Sequence, residues 1–200
     1  VQGVSPEKEY GFWIGTDGKM YFVLYDEDGS NWILQKADDA LSTDEWTHVC
    51  ATYDATEATS GIIIYANGAP VDMTPNTVGS YTAMHPTDID VNIGRLYSDS
   101  PAYVSEGFID EVALYDKKLS SGEVTELYND GLTLDLSSFS AVSNIISWWR
   151  MGDEATGVSP DYTIPDQIGS NDAEMNNFQG DSTSGVVEDA VPSTNLTDHY

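Results

Sequence analysis

Tyr10-Gly11-Phe12-Trp13-Ile14-Gly15-Thr16-Asp17-Gly18-Lys19-Met20-Tyr21-Phe22-Val23-Leu24-Tyr25 is the stretch that decides the fold class. Two runs of β-favouring residues, Tyr10 to Ile14 and Met20 to Tyr25, flank a segment whose glycines supply the positive φ of a tight turn, which predicts a β-hairpin. Downstream, apolar runs and turn residues keep alternating. A turn at Asp26-Glu27-Asp28-Gly29 leads to Trp32-Ile33-Leu34, and Trp46 to Tyr53 forms the next run. Ile62-Ile63-Ile64-Tyr65 enters Ala66-Asn67-Gly68-Ala69, where Asn-Gly is the strongest two-residue hairpin signal, and the chain returns at Pro70-Val71. Val91 to Gly94 and Phe108 to Tyr115 complete the runs. Turn signals at a spacing of about eight to twelve residues, uninterrupted by a long helix, predict an all-β, two-sheet antiparallel sandwich.

One short helix is well specified. Ser120 can cap the amide of Glu123 while Glu123 reaches back, Leu119 can staple onto Val124, and Gly131 supplies a left-handed stop. The spacing predicts a helix of about ten residues with Leu127 and Tyr128 turned inward. After Gly131 the character changes. Residues 1–133 are expected to form the sandwich, with its opening strands missing. Residues 134–200 read as a connector, a strand from Ile145 to Met151 and a polar arm, which completes the sandwich or pairs with a neighbour.

The 200 residues suffice to bury a core, and 40% hydrophobic residues with 12 Tyr and 5 Trp set the chain apart from disordered acidic sequences. The 34 Asp and Glu against 7 Lys and Arg give a net charge of -27. That balance excludes phosphate backbones and anionic membranes as partners and suits a saline setting, where such repulsion is screened. The single cysteine, Cys50, alternates into an apolar strand and is expected to act as a small hydrophobe. No apolar stretch is long enough to insert into a membrane.

Certain residues carry a resemblance: Glu45-Trp46-Thr47-His48-Val49-Cys50-Ala51-Thr52-Tyr53-Asp54, Ile64-Tyr65-Ala66-Asn67-Gly68, Ile93-Gly94-Arg95, and Gly107 to Tyr115 through Leu119-Ser120. In order and spacing they resemble the later strands of laminin-G-like and concanavalin A-like jelly rolls, over about residues 10 to 131. Trp148-Trp149-Arg150-Met151-Gly152-Asp153 followed by Asp166 to Asp172 looks like an opening strand and loop of the same kind of domain. A jelly roll with such a tail, ending in Val186-Val187-Glu188-Asp189-Ala190-Val191-Pro192, is also similar to C-terminal parts of marine phage virion proteins.

Asp110 shares strand parity with Phe108, Val112 and Leu114, and a carboxylate on an apolar face needs donors, a base or a cation. The resemblance makes Ca²⁺ one option, with Asp153 and Asp166 as companion ligands; hydrogen bonds to a neighbouring loop are the other, and the favoured one. Trp32, Tyr97 and Tyr103, at strand ends or turns, could stack on sugar rings or simply fill the rim. His48 reads as structural. Glu106 and Asp110 fall about 13 Å apart along a strand and adjacent Asp110 and Glu111 face opposite ways, so neither pair makes a glycosidase dyad. The expected protein is therefore non-enzymatic: a homo-oligomeric phage virion component on a fibre, tail or capsid surface, contacting host-surface glycan or neighbouring subunits. The alternative is a Ca²⁺-dependent carbohydrate-binding module of a secreted bacterial protein.

Overall fold

The computed structural model describes residues 9–26, 30–84, 90–94, 107–151, 154–158 and 161–175. The chain divides into two compact units, Val1–Ser105 and Glu106–Tyr200. The described part of the first unit contains β1 (Tyr10–Ile14), β2 (Lys19–Tyr25), β3 (Trp32–Ala40), β4 (Val49–Thr52), β5 (Ile63–Ala66), β6 (Ala69–Pro70) and β7 (Met73–Val78). They form two antiparallel sheets, one in the order β1-β2-β3-β7 and one in the order β4-β5-β6.

Period-two alternation sorts the side chains of the first sheet onto two faces. On the inner face Met20, Ala37 and Ile64 form one buried cluster, joined by Phe22 and Met73, while Leu24, Ile33, Ile62 and Tyr81 form a second. Ile62 and Ile64 come from the second sheet's side, so the core lies between the sheets. Each such Leu or Ile contributes about 2 kcal/mol by leaving water. Gln35, buried on this face, donates from Nε2 to the Thr59 carbonyl at 2.9 Å and ties β3 to the 3-10 turn Thr59–Gly61.

Both expected hairpins form. Gly18, at φ 73°, closes β1 onto β2, with its amide on the Gly15 carbonyl at 2.9 Å. Asn67 and Gly68 take φ of 49° and 76°, the left-handed pair a two-residue turn requires between β5 and β6. The Asn67 side chain also accepts from the His48 amide at 3.0 Å, fastening the start of β4.

Several expectations need correction. The Trp46 to Tyr53 run is a strand only over Val49–Thr52, and Trp46 is exposed. Val91 to Gly94 is not a strand: Val91 is exposed and Gly94 turns left-handed at φ 78°, so no buried face rewards extension. The return after Asn67-Gly68 begins one residue early, at Ala69, and runs as expected through Pro70, opposite Tyr65, to the Val71 amide on the Ile64 carbonyl at 3.0 Å. β7, unexpected from its sequence, pairs with β3 at the sheet edge, where Pro75 is tolerated.

The described part of the second unit holds β8 (Val112–Tyr115), α1 (Ser121–Tyr128), β9 (Ile145–Trp149), β10 (Thr156–Val158), β11 (Asp161–Ile164) and β12 (Ala173–Met175). β8 pairs antiparallel with β9, and β10-β11-β12 form a small antiparallel sheet. The Trp-Trp strand is thus hydrogen-bonded within its own chain. The strand expected from Phe108 begins only at Val112, because Glu111 adopts φ 52° and breaks the extended backbone. The capping box forms as expected, with Ser120 Oγ accepting from the Glu123 amide at 3.3 Å and Glu123 Oε2 accepting from the Ser120 amide at 2.7 Å. Leu119 and Val124 are buried, while Leu127 and Tyr128 are only half-buried. The helix stops two residues before the expected glycine, since Asn129 and Asp130 already turn left-handed at φ 45° and 55°. No helix among the described residues is long and apolar enough to cross a membrane.

Candidate functional site

The outer face of the β1-β2-β3-β7 sheet, turned away from the core, carries side chains in rows fixed by strand register. In one row Trp13 lies opposite Tyr21, Tyr21 opposite Lys36, and Lys36 opposite Thr74. The middle row is Gly11, Val23, Leu34 and Asn76, and the third is Tyr25, Trp32 and Val78. The first and third rows are four residues apart along each strand, about 13 Å at about 3.3 Å per residue. Two rows bearing aromatic rings thus flank a filled centre: the Trp13 ring lies across Gly11, where a Cβ would stand 3.1 Å from it, and Val23 is buried.

The first row is locked in place. Trp13 and Tyr21 stack with planes 3° apart and centroids at 5.5 Å. Lys36 Nζ sits 5.0 Å above the Tyr21 ring and 2.9 Å from Asp17 Oδ2, and the Tyr21 hydroxyl donates to that same oxygen at 2.9 Å. The Lys36 hydrogen bond, with smaller help from Tyr21 and the Lys19 amide, holds the Asp17 carboxyl down at about 2; Asp17 in turn raises Lys36. Lys19 donates its ammonium to the Asp38 carbonyl. An aromatic surface with a few oriented polar groups suits a ligand with apolar ring faces and hydroxyl edges.

Trp32 therefore stands where it was expected to be useful, half-buried beside Tyr25 and the exposed Val78. Tyr97, Tyr103 and Asp153 lie outside the described residues. Sequence reading missed Trp13, Tyr21 and Tyr25 as partners of Trp32. The available signal was the recurrence of aromatics at alternate positions of β1 and β2; placing them beside Trp32 required the register.

The remaining carboxylates occupy the second unit. Asp110 does not share a strand face with Phe108, Val112 and Leu114, because the turn at Glu111 cancels the parity; its Oδ1 accepts from the Glu111 amide at 2.8 Å. Glu111 takes the position expected of Asp110: mostly buried, it accepts from Trp148 Nε1 at 2.6 Å and from Arg150 Nε at 3.1 Å. Burial pushes its carboxyl up, against the lowering by those two donors.

Asp166 is buried in a cradle of backbone amides. Oδ1 accepts from Trp148, Ile168 and Gly169 at 3.0, 3.1 and 3.0 Å, and Oδ2 from Asn171 at 3.2 Å. Burial alone would raise this carboxyl, but the amides of Gly169, Trp148 and Ile168, with the Ser147 side chain, bring it down to about 2. Three of the four amides bond Oδ1, so the charge of Asp166 is met mainly by backbone donors. Among the described residues no group of three or more His, Cys, Asp or Glu is gathered so that it could hold a metal.

Cys50 is held as an inert thiol, since burial pushes it up to about 12. Burial likewise lowers His48.

Comparison with known proteins adds a family. The model of the concanavalin A-like lectin/glucanases superfamily, Laminin_G_3, matches residues 1–125. No curated protein matches. Among solved structures, an S-layer domain-containing protein from Clostridium thermocellum is similar at 18% identity with a TM-score of 0.34. That match covers 60% of this chain and 63% of that one.

Proposed function

The chain belongs to the concanavalin A-like lectin/glucanase superfamily over residues 1–125, and from that premise we propose that it is a non-enzymatic, extracellular adhesion domain that binds glycan on its outer sheet face. The observation that carries this reading is the pair of aromatic rows, Trp13 with Tyr21 and Tyr25 with Trp32, half-buried on one face of the sheet. Pyranose rings present C–H faces that stack on such rings, and Asp17 and Asn76 offer hydrogen bonds to their hydroxyls. A face about 13 Å between rows suits a run of linked sugars rather than a single ring.

Affinity electrophoresis through gels containing soluble polysaccharides tests the reading. The intact chain is expected to be retarded by at least one polymer, and Trp32→Ala to weaken that retardation by about tenfold, as for an aromatic anchor. Chelation is expected to leave it unchanged, because the face uses no carboxylate cluster. Retardation unaffected by Trp32→Ala would move the site elsewhere; loss on chelation would favour a Ca²⁺-dependent module.

A second reading, that the domain is a subunit of a phage virion fibre, tail or capsid surface, is favoured by β1. Among the described residues β1 is an edge strand; it contains no charged residue or proline, and Tyr10, Phe12 and Ile14 are exposed on one side of it. Bare edges of this kind are found paired or covered. A neighbouring copy bound at β1 would multiply weak glycan contacts by copy number.

A further inference from the structure

We infer that the glycan taken by the outer sheet face is a neutral polysaccharide, and that sulfated and uronate polymers are excluded; this rests on the glycan reading above. Selection of an anionic sugar requires a cation with bonding capacity to spare, because sulfate and carboxylate recognition runs on Arg and Lys. Lys19 and Lys36 are the basic residues of the four strands of this sheet. Each is already engaged by the chain's own acceptors: Lys36 by Asp17 at 2.9 Å and by the ring of Tyr21, Lys19 by the carbonyl of Asp38. An incoming sulfate would have to displace Asp17 from Lys36 while approaching a chain of net charge -27. A neutral hexose polymer meets neither obstacle. Its rings stack on Trp13 and Trp32 and its hydroxyls bond to Asn76 and to the paired Asp17, so its binding should be indifferent to salt.

The test compares the whole chain in native gels containing a neutral β-glucan or galactomannan with gels containing a sulfated galactan or a polyuronate, at about 0.15 M and about 1 M salt, where the screening length falls from about 8 to about 3 Å. Retardation by a neutral polymer, equal at both salts, with none by the anionic polymers, is the expected result. Retardation by an anionic polymer that weakens as salt rises overturns the inference while leaving the glycan reading standing. Retardation by no polymer of either class overturns both. Val78→Arg supplies a second arm that does not threaten the fold, since Val78 is exposed on the edge strand beside Trp32. Given one uncommitted cation, the face should acquire retardation by the sulfated polymer at low salt and lose it at high salt. If Val78→Arg gains nothing, commitment of the face's cations is not what sets the glycan class, and the inference is overturned.

Discussion

Asp166 and Glu111 show how one functional group acquires opposite acid-base behaviour within one unit. Asp166 gives up water for backbone amides and stays ionised; Glu111 is desolvated more than its two donors repay. For Asp166 the folded value, about 2, lies below the ordinary 3.8. Its contribution is therefore complete above about pH 4 and is lost as pH falls toward about 2, in all about 2 kcal/mol at about 1.4 kcal/mol per unit. Glu111 has the reverse sign: its contribution holds at low pH and fades as pH rises through its raised folded value. Thermal unfolding across pH should show the acid loss in the native chain. Asp166→Asn should be less stable by about 2 kcal/mol at neutral pH and flatter in acid. An acid limb unaltered by the substitution would remove Asp166 from the account. Neither environment is legible in the sequence. Resemblance marks Asp166 only as a candidate Ca²⁺ ligand, and its amide cradle depends on a loop returning to Trp148. Glu111 carries no signal, because the left-handed turn that redirects it interrupts a stretch that reads as one continuous strand.

Elements governed by local chemistry were the ones the sequence announced. The Gly15 to Gly18 turn, the Asn67-Gly68 turn and the Ser120–Glu123 box each involve residues a few positions apart, and each forms. The helix accordingly offers a clean test: Ser120→Ala removes an acceptor for the Glu123 amide and should cost about 1 kcal/mol in chemical denaturation. An unchanged midpoint would mean the cap contributes nothing net. β7 is the opposite case. Met73-Thr74-Pro75-Asn76-Thr77-Val78 is largely exposed, shows no apolar alternation, and is extended because β3 offers it backbone partners. Such a strand has no signature of its own. The same limit hid the aromatic rows, which exist only once Tyr21 is set against Lys36 and Tyr25 against Trp32.

For the molecule as a whole, charge and edge work against each other. A net charge of -27 keeps copies apart at low ionic strength, whereas β1, at the sheet edge among the described residues, offers an uncharged strand with Tyr10, Phe12 and Ile14 exposed. If the chain assembles through that edge, its light-scattering mass should rise from one chain toward a multiple as salt goes from about 0.15 M to about 1 M. Ile14→Lys should hold it at one chain by placing charge on the strand. A mass of one chain at both salts sinks the assembly reading and leaves glycan binding untouched.

Trp148 and Trp149 are neighbours on β9, so their indoles leave the strand in opposite directions. One N–H is held by the Glu111 carboxylate and the other by the Asn171 carbonyl at 2.7 Å. In optical terms the second unit carries a matched pair of internal lamps, one lit against an anion and the other against a neutral dipole. Opening one side of the strand therefore frees one indole N–H and leaves the other held.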